Sequence, residues 1–178
     1  MYEKHFLITL REQHPIEYQN LLKLAQNDHR IYVINKTLSR SQMYGLIKVC
    51  DCYISLHRAE GFGLGMAEAM YLGKPVIATA YSGNLDFMNE ENSCLVDYEL
   101  IEVKDGEYPY ASGQVWADPN IRTASSFMRK ILKDEKYRMQ IAQAGQSTIF
   151  KYHSFERVGA MMVKRIQEIR SARGGGNV

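Results

Sequence analysis

The chain has 178 residues, 46% of them hydrophobic, and 22 Lys plus Arg against 20 Asp plus Glu give a formal charge of +2. That is enough apolar material for one full core without disulfides or metals. It is too little net positive charge to predict a nucleic-acid binder, which carries a dense basic face.

The three cysteines, Cys50, Cys52 and Cys94, are an odd number and lack a second metal half-site. They read as small core residues in a reducing cytoplasm, with no cofactor chemistry. The opening "MYEKHFLITL" has no long apolar signal core, and no window approaches the roughly 18 apolar residues of a membrane span. A cytoplasmic location is therefore expected.

Apolar runs of strand length alternate with segments of helical period, the pattern of a Rossmann-like α/β parallel sheet with helices on both faces. Strands are expected at Phe6 to Leu10, Ile31 to Asn35, Cys52 to Leu56, Pro75 to Thr79 and Ser93 to Val96, with helices at 16–27, 39–50 and 63–72. The helix in "SRSQMYGLIKVCD" opens on a serine that can cap its first turn. The helix at 63–72 closes at Gly73 before Lys74-Pro75, a strong stop signal.

After Val96, "DYELIEVKDGEYPYASGQVWADP" mixes turn residues, acids and aromatics without helical period and reads as an irregular excursion of about twenty residues. From Asn120 the pattern is helical: Asn120 to Lys133, Glu135 to Lys151, and a last helix from a Ser154 cap. Val158, Met161, Met162, Ile166 and Ile169 form one stripe of that helix and read as core packing. The domain is expected to cover residues 1–173, with "GGGNV" at 174–178 a disordered tail.

The stretch "SLHRAEGFGLGMAEAMYLGKPVIATAYSGN", residues 55–84, carries the chemistry. The chain leaves a strand and passes His57, Arg58 and Glu60. It then turns through Gly61-Phe62-Gly63-Leu64-Gly65 into a helix that bears Glu68. Glycines let backbone amides approach a ligand, and the N–H groups of a helix start favour an anion such as a pyrophosphate. Glu68, one turn beyond Leu64, projects roughly 6–8 Å from that helix start, the reach of a ribose on a diphosphate. A carboxylate offers only acceptors, so a vicinal diol suits it. Glu60, before the helix, is placed for a second polyol. The pattern describes a diol–diphosphate–diol ligand, which is the shape of a nucleotide sugar.

The same residues resemble a known family. "EGFGLGMAE" with its E-x7-E spacing, "AMYLGKPVIAT", "SGN" and the upstream "LSRSQMYGLIKVCDCYISL" are similar to the carboxyl-terminal donor-binding domain of retaining GT-B glycosyltransferases of the family-four type. The resemblance covers about residues 30 to 170. It implies that Glu68 holds the ribose hydroxyls and that Glu60 binds the donor sugar at the catalytic position. It also implies that the amides of Gly61, Phe62, Gly63 and Leu64 face sugar and diphosphate, with no metal or other cofactor. Base contacts fall near Thr37 and Leu38. Arg58 can assist phosphate or act as a surface ion-pair partner. Ser82, Gly83 and Asn84 can form a tight turn or touch sugar, and His57 has no evident partner in sequence.

In that family the acceptor is held by a second, amino-terminal domain, for which 178 residues leave no room. The basic pair that grips the diphosphate there follows the first strand. Here "HFLITL" is followed by "REQHPIEYQN", with Arg11 but no Arg-to-Lys spacing. The chain is therefore expected to begin at the family's second strand, to meet its glycan or lipid acceptor through a missing domain, and to expose a cleft face that invites self-association. Two functions follow from the resemblance: the donor half of a sugar transferase serving polysaccharide biosynthesis, or a non-catalytic nucleotide-sugar-binding module working with a partner chain. A flavodoxin-like regulatory domain, the third candidate, lacks a phosphoacceptor aspartate at the end of an early strand.

Overall fold

The computed structural model describes residues 5–10 and 15–174, so Arg11 and residues 175–178 of the expected tail lie outside the described residues. The chain divides into two compact units, Met1–Met43 and Tyr44–Val178.

In the first unit β1 (Phe6–Leu10) pairs in parallel with β2 (Ile31–Asn35), from Phe6 opposite Ile31 to Leu10 opposite Asn35. Parallel strands need a crossover, and α1 (Pro15–Gln26) supplies it. Its proline stands at the first helical position, where a missing N–H costs nothing. The helix α2 (Arg40–Val49) begins in this unit with a reciprocal cap. Ser39 Oγ accepts from Gln42 N at 3.3 Å, while Gln42 Oε1 accepts from Ser39 N at 2.9 Å. The serine cap expected from sequence thus does its work with a partner three residues on.

The second unit is built on three parallel strands, β3 (Tyr53–Ser55), β4 (Val76–Thr79) and β5 (Cys94–Val96), in the order β3-β4-β5. All four residues of β4 are buried. A strand that meets no water on alternate residues is covered on both faces, which is why "PVIAT" reads as a continuous apolar run.

The crossover from β3 to β4 is α3 (Leu64–Tyr71), which buries Met66, Ala67, Ala69 and Met70. Its end is a Schellman motif: Gly73 takes φ +69°, Gly73 N donates to Met70 O at 2.9 Å, and Lys74 N to Ala69 O at 2.9 Å. Gln146 seals the same end with a 2.9 Å bond to Tyr71 O.

Two further helices close the core. α4 (Ile121–Lys133) is capped by Asn120, whose side chain accepts from Arg122 N and Thr123 N, and α5 (Glu135–Tyr152) by Asp134, which accepts from Tyr137 N. Ile77, Cys94, Val96, Ala124, Ile131 and Ile141 form the buried cluster that joins sheet to helices, with Cys52, Leu56 and Tyr137 packed against it. Cys94 is fully buried and Cys50 and Cys52 are half-buried; all three are free thiols. No helix among the described residues is long and apolar enough to cross a membrane.

Two expectations are corrected. The excursion after Val96 is an antiparallel hairpin, β6 (Tyr98–Glu102) with β7 (Val115–Pro119), in which Leu100 faces Ala117 and Ile101 faces Trp116. Each strand is only five residues long, and the turn-rich connection between them hides the alternation.

The last helix, α6 (Phe155–Gly174), does not bury its stripe: Val158 is half-buried, whereas Met161, Met162, Ile166 and Ile169 are exposed. Helical period shows that a helix has an apolar side, not what covers it. α6 runs one residue into the stretch expected to be a tail, ending at Gly174.

Candidate functional site

The turn between β3 and α3 is held from below by aromatic and polar side chains. Gly63 is the N-cap of α3 with φ +88°, and no side chain caps this helix. The first amides of a helix have no partner within it, so those of Leu64, Gly65 and Met66 are directed out of the helix start. The aligned peptide dipoles add partial positive charge there.

Gly63 is required twice over. Its φ disfavours any side chain, and a Cβ there would stand 2.5 Å from Met66 Cε and 3.2 Å from Asn84 Cβ. Gly65 answers to a different neighbour, because its Cβ would stand 2.5 Å from the Tyr53 hydroxyl. The helix start therefore rests on Tyr53.

The two carboxylates expected from sequence gather around this point. Burial raises the Tyr53 phenol above its ordinary range, and the negative charges of Glu60 and Glu68 push it in the same direction. Both acids thus lie within electrostatic reach of one tyrosine. Glu68 is half-buried on α3, and its Oε1 accepts a 2.8 Å hydrogen bond from the Tyr44 hydroxyl. Glu60 is exposed, but its backbone is fixed. Its N–H donates to Ser82 Oγ at 2.8 Å, Ser82 Oγ donates back to Glu60 O at 3.0 Å, and Gly83 N donates to the same carbonyl at 3.1 Å.

Ser82 and Gly83 therefore brace the backbone of the glycine turn. Ser82 adopts φ +69°, uncommon for a residue with a side chain. Gly83 lies so close that a Cβ would stand 2.1 Å from Gly61 O. Asn84 is fully buried, and its amide donates to Thr79 O at 3.0 Å.

His57 completes this bracing. Its Nε2 lies 3.1 Å from Tyr81 O and 3.2 Å from Asn84 Oδ1, and its Nδ1 lies 3.2 Å from Ser55 Oγ. Two oxygen acceptors at Nε2 assign the proton to that nitrogen, leaving Nδ1 to accept from the serine. Both ring nitrogens are spent on structure, so the partners that the sequence did not reveal are Ser55, Tyr81 and Asn84.

Arg58 turns to the hairpin. Its guanidinium pairs with Asp118 at 3.3 Å and lies over Trp116, 4.8 Å from the ring centroid, while its carbonyl accepts from Ala117 N at 2.9 Å. Thr37 and Leu38 lie in the first unit, between β2 and α2.

Sequence reasoning missed Tyr44, Tyr53, Phe87 and His153. The last two carry the ring of Phe62, with centroids 5.0 Å and 6.1 Å away. None of the four has a local signal, since each meets the turn from elsewhere in the chain. Among the described residues no group of three His, Cys, Asp or Glu side chains could hold a metal ion.

A parallel β–α–β unit with an uncapped helix start that opens at a glycine defines a Rossmann-like domain. Residues 12–148 match the model of the glycosyl transferases group 1, and the chain belongs to that family. Its fold is that of the carboxyl-terminal domain of GT-B glycosyltransferases.

Sucrose-phosphate synthase from Thermosynechococcus elongatus is similar over 93% of this chain and 38% of its own, at 17% identity and TM-score 0.68. The C-terminal domain of a glycosyl transferase group 1 family protein from Francisella tularensis is similar over 79% of this chain and 63% of its own, at 23% identity and TM-score 0.57. The Anabaena protein HepE, solved in complex with UDP and glucose, is similar over 93% of this chain and 40% of its own, at 16% identity and TM-score 0.66. The chain thus spans less than two thirds of each of these structures. None of the curated protein sequences matches it.

Proposed function

We propose that this domain binds the nucleotide-diphosphate sugar donor of a retaining, family-four-type glycosyltransferase. The observation that carries the reading is a helix start whose amides no side chain caps, with Glu60 before it and Glu68 after it in the chain and both within electrostatic reach of Tyr53.

An anion at those amides is stabilised by the N–H groups and the helix dipole. Bare carboxylates beside it would repel it, so each must be occupied by hydroxyls: the ribose diol at Glu68 and the sugar at Glu60. UDP and UDP-glucose bound to the Anabaena neighbour support the ligand class.

During transfer, negative charge builds on the departing diphosphate. Preorganised backbone donors at Phe62, Gly63 and Leu64 stabilise it, and losing one such donor typically costs about 10²–10³ in rate, or roughly 3–4 kcal/mol. Arg58 stays within this proposal as a second-rank phosphate contact, since releasing it requires giving up Asp118 and Trp116. The acceptor, a glycan or lipid, is proposed to be held by a further domain.

Calorimetry with UDP-, GDP- and ADP-sugars tests the reading. Binding that is lost or strongly weakened in Glu68→Ala is expected. No binding by the wild-type chain, or equal binding by the variant, overturns it.

A further inference from the structure

Between Gly61 and Gly63 the donor turn has one side chain by which it can be held, that of Phe62. Gly61 has open space where a Cβ would be, and Gly63 has φ +88°. Ordering backbone costs conformational entropy, and glycines lose the most freedom, so a turn of this composition is ordered only if something pins it.

The Phe62 ring, 40% exposed, packs against two neighbouring rings. Phe87, 3% exposed and the residue that closes the short helical turn Gly83–Asp86, lies 5.0 Å away at 44°. His153 lies 6.1 Å away at 59°, and 5.9 Å from Phe87 at 72°. Rings at these separations and tilts attract through their quadrupoles beyond simple burial.

His153 is the residue that ends α5, with its N–H donating to Ile149 O at 2.9 Å, and Ser154 next to it caps α6 through a 3.2 Å bond from Arg157 N. The third ring of the cluster is thus set on a capped helix junction far along the chain.

We propose that His153 and Phe87 are positioning residues of the donor site: through Phe62 they preorganise the amides of Phe62, Gly63 and Leu64 before a nucleotide arrives. The inference rests on the donor-binding reading for its purpose, but the bracing itself exists without a ligand.

Two measurements on the full chain therefore separate the two. Without ligand, the backbone 15N order parameters of residues 62–64 should fall in His153→Ala from the rigid value of about 0.85 toward about 0.6 and return to the wild-type values in His153→Phe, which restores a ring. UDP binding by calorimetry should weaken about three- to tenfold in His153→Ala and recover in His153→Phe, the size expected for one aromatic pair.

If the order parameters at the turn are unchanged in His153→Ala, or if His153→Leu keeps them as high as His153→Phe does, the positioning role is wrong whether or not UDP binds. If the loss of order appears but the wild-type chain binds no nucleotide diphosphate, the brace stands and the donor reading fails. Should His153→Ala not fold, the Leu and Phe variants compared with each other carry the same test.

Discussion

The hydroxyl of Tyr44, on α2, donates a 2.8 Å hydrogen bond to Oε1 of Glu68, on α3. A half-buried carboxylate on a helix side has several rotamers, and this bond selects the one presented beside the helix start. Tyr44→Phe keeps the ring and removes the donor. It is expected to weaken UDP binding roughly three- to tenfold and to lower stability by about 1 kcal/mol. Calorimetry and urea unfolding check the two effects. Unaltered affinity would mean that Tyr44 does not set the carboxylate.

Three glycines at the turn, Gly61, Gly63 and Gly83, are expected to rank by what a methyl group would meet. At Gly61 nothing lies within 4 Å; at Gly63 the obstacles are the end of a flexible methionine and a φ of +88°; at Gly83 the obstacle is Gly61 O, a backbone atom, at 2.1 Å. Gly61→Ala should leave stability within about 0.5 kcal/mol. Gly63→Ala should cost about 1–3 kcal/mol. Gly83→Ala should cost more than either, because backbone must move. Thermal unfolding of the three variants gives the order directly.

Asn84 ties the end of β4 to His57, donating to Thr79 O and lying 3.2 Å from His57 Nε2. Asn84→Ala leaves a buried carbonyl without that donor, at an expected cost of about 1–3 kcal/mol. A larger consequence is predicted for the imidazole, which loses one of its two oxygen partners at Nε2. Its NMR ring signals should shift and broaden in the variant. Sharp, unmoved His57 signals would contradict the bracing role.

Burial pushes the Cys52 thiol up to about 12, and neighbouring negative charge from Cys94 and Asp51 acts in the same direction. An unfolded thiol ionises near about 8.5. The folded value is raised, so the neutral thiol's contribution to stability is complete below the unfolded pKa and is lost as pH climbs toward 12. Urea midpoints should therefore fall with pH above about 8.5, and Cys52→Ala should flatten that fall. Alkylation of the native protein near neutral pH should be slow at all three cysteines, since burial raises Cys50 and Cys94 too.

Much of the fold was legible because its signals are local. The stop at Gly73 and Pro75, the serine cap of α2 and the apolar run of β4 each follow from residues within a few positions of one another. The hairpin was not legible, because pairing Leu100 with Ala117 depends on a partner seventeen residues away across a turn-rich connection. The stripe on α6 was readable as a stripe, but its exposure depends on what packs beside it.

For the site, the sequence by itself determined the distance from the glycine turn to Glu68, because helical rise converts four residues into a fixed length. It likewise determined that the helix start would be bare, because glycine supplies no cap. Only the tertiary structure decided that Ser82 would grip Glu60, that Tyr44 would bond Glu68, that Tyr53 would stand against Gly65, and that Phe87 and His153 would carry Phe62. Those contacts join residues 12 to 91 positions apart. No backbone period links such residues, so they meet only when the sheet and its helices have packed.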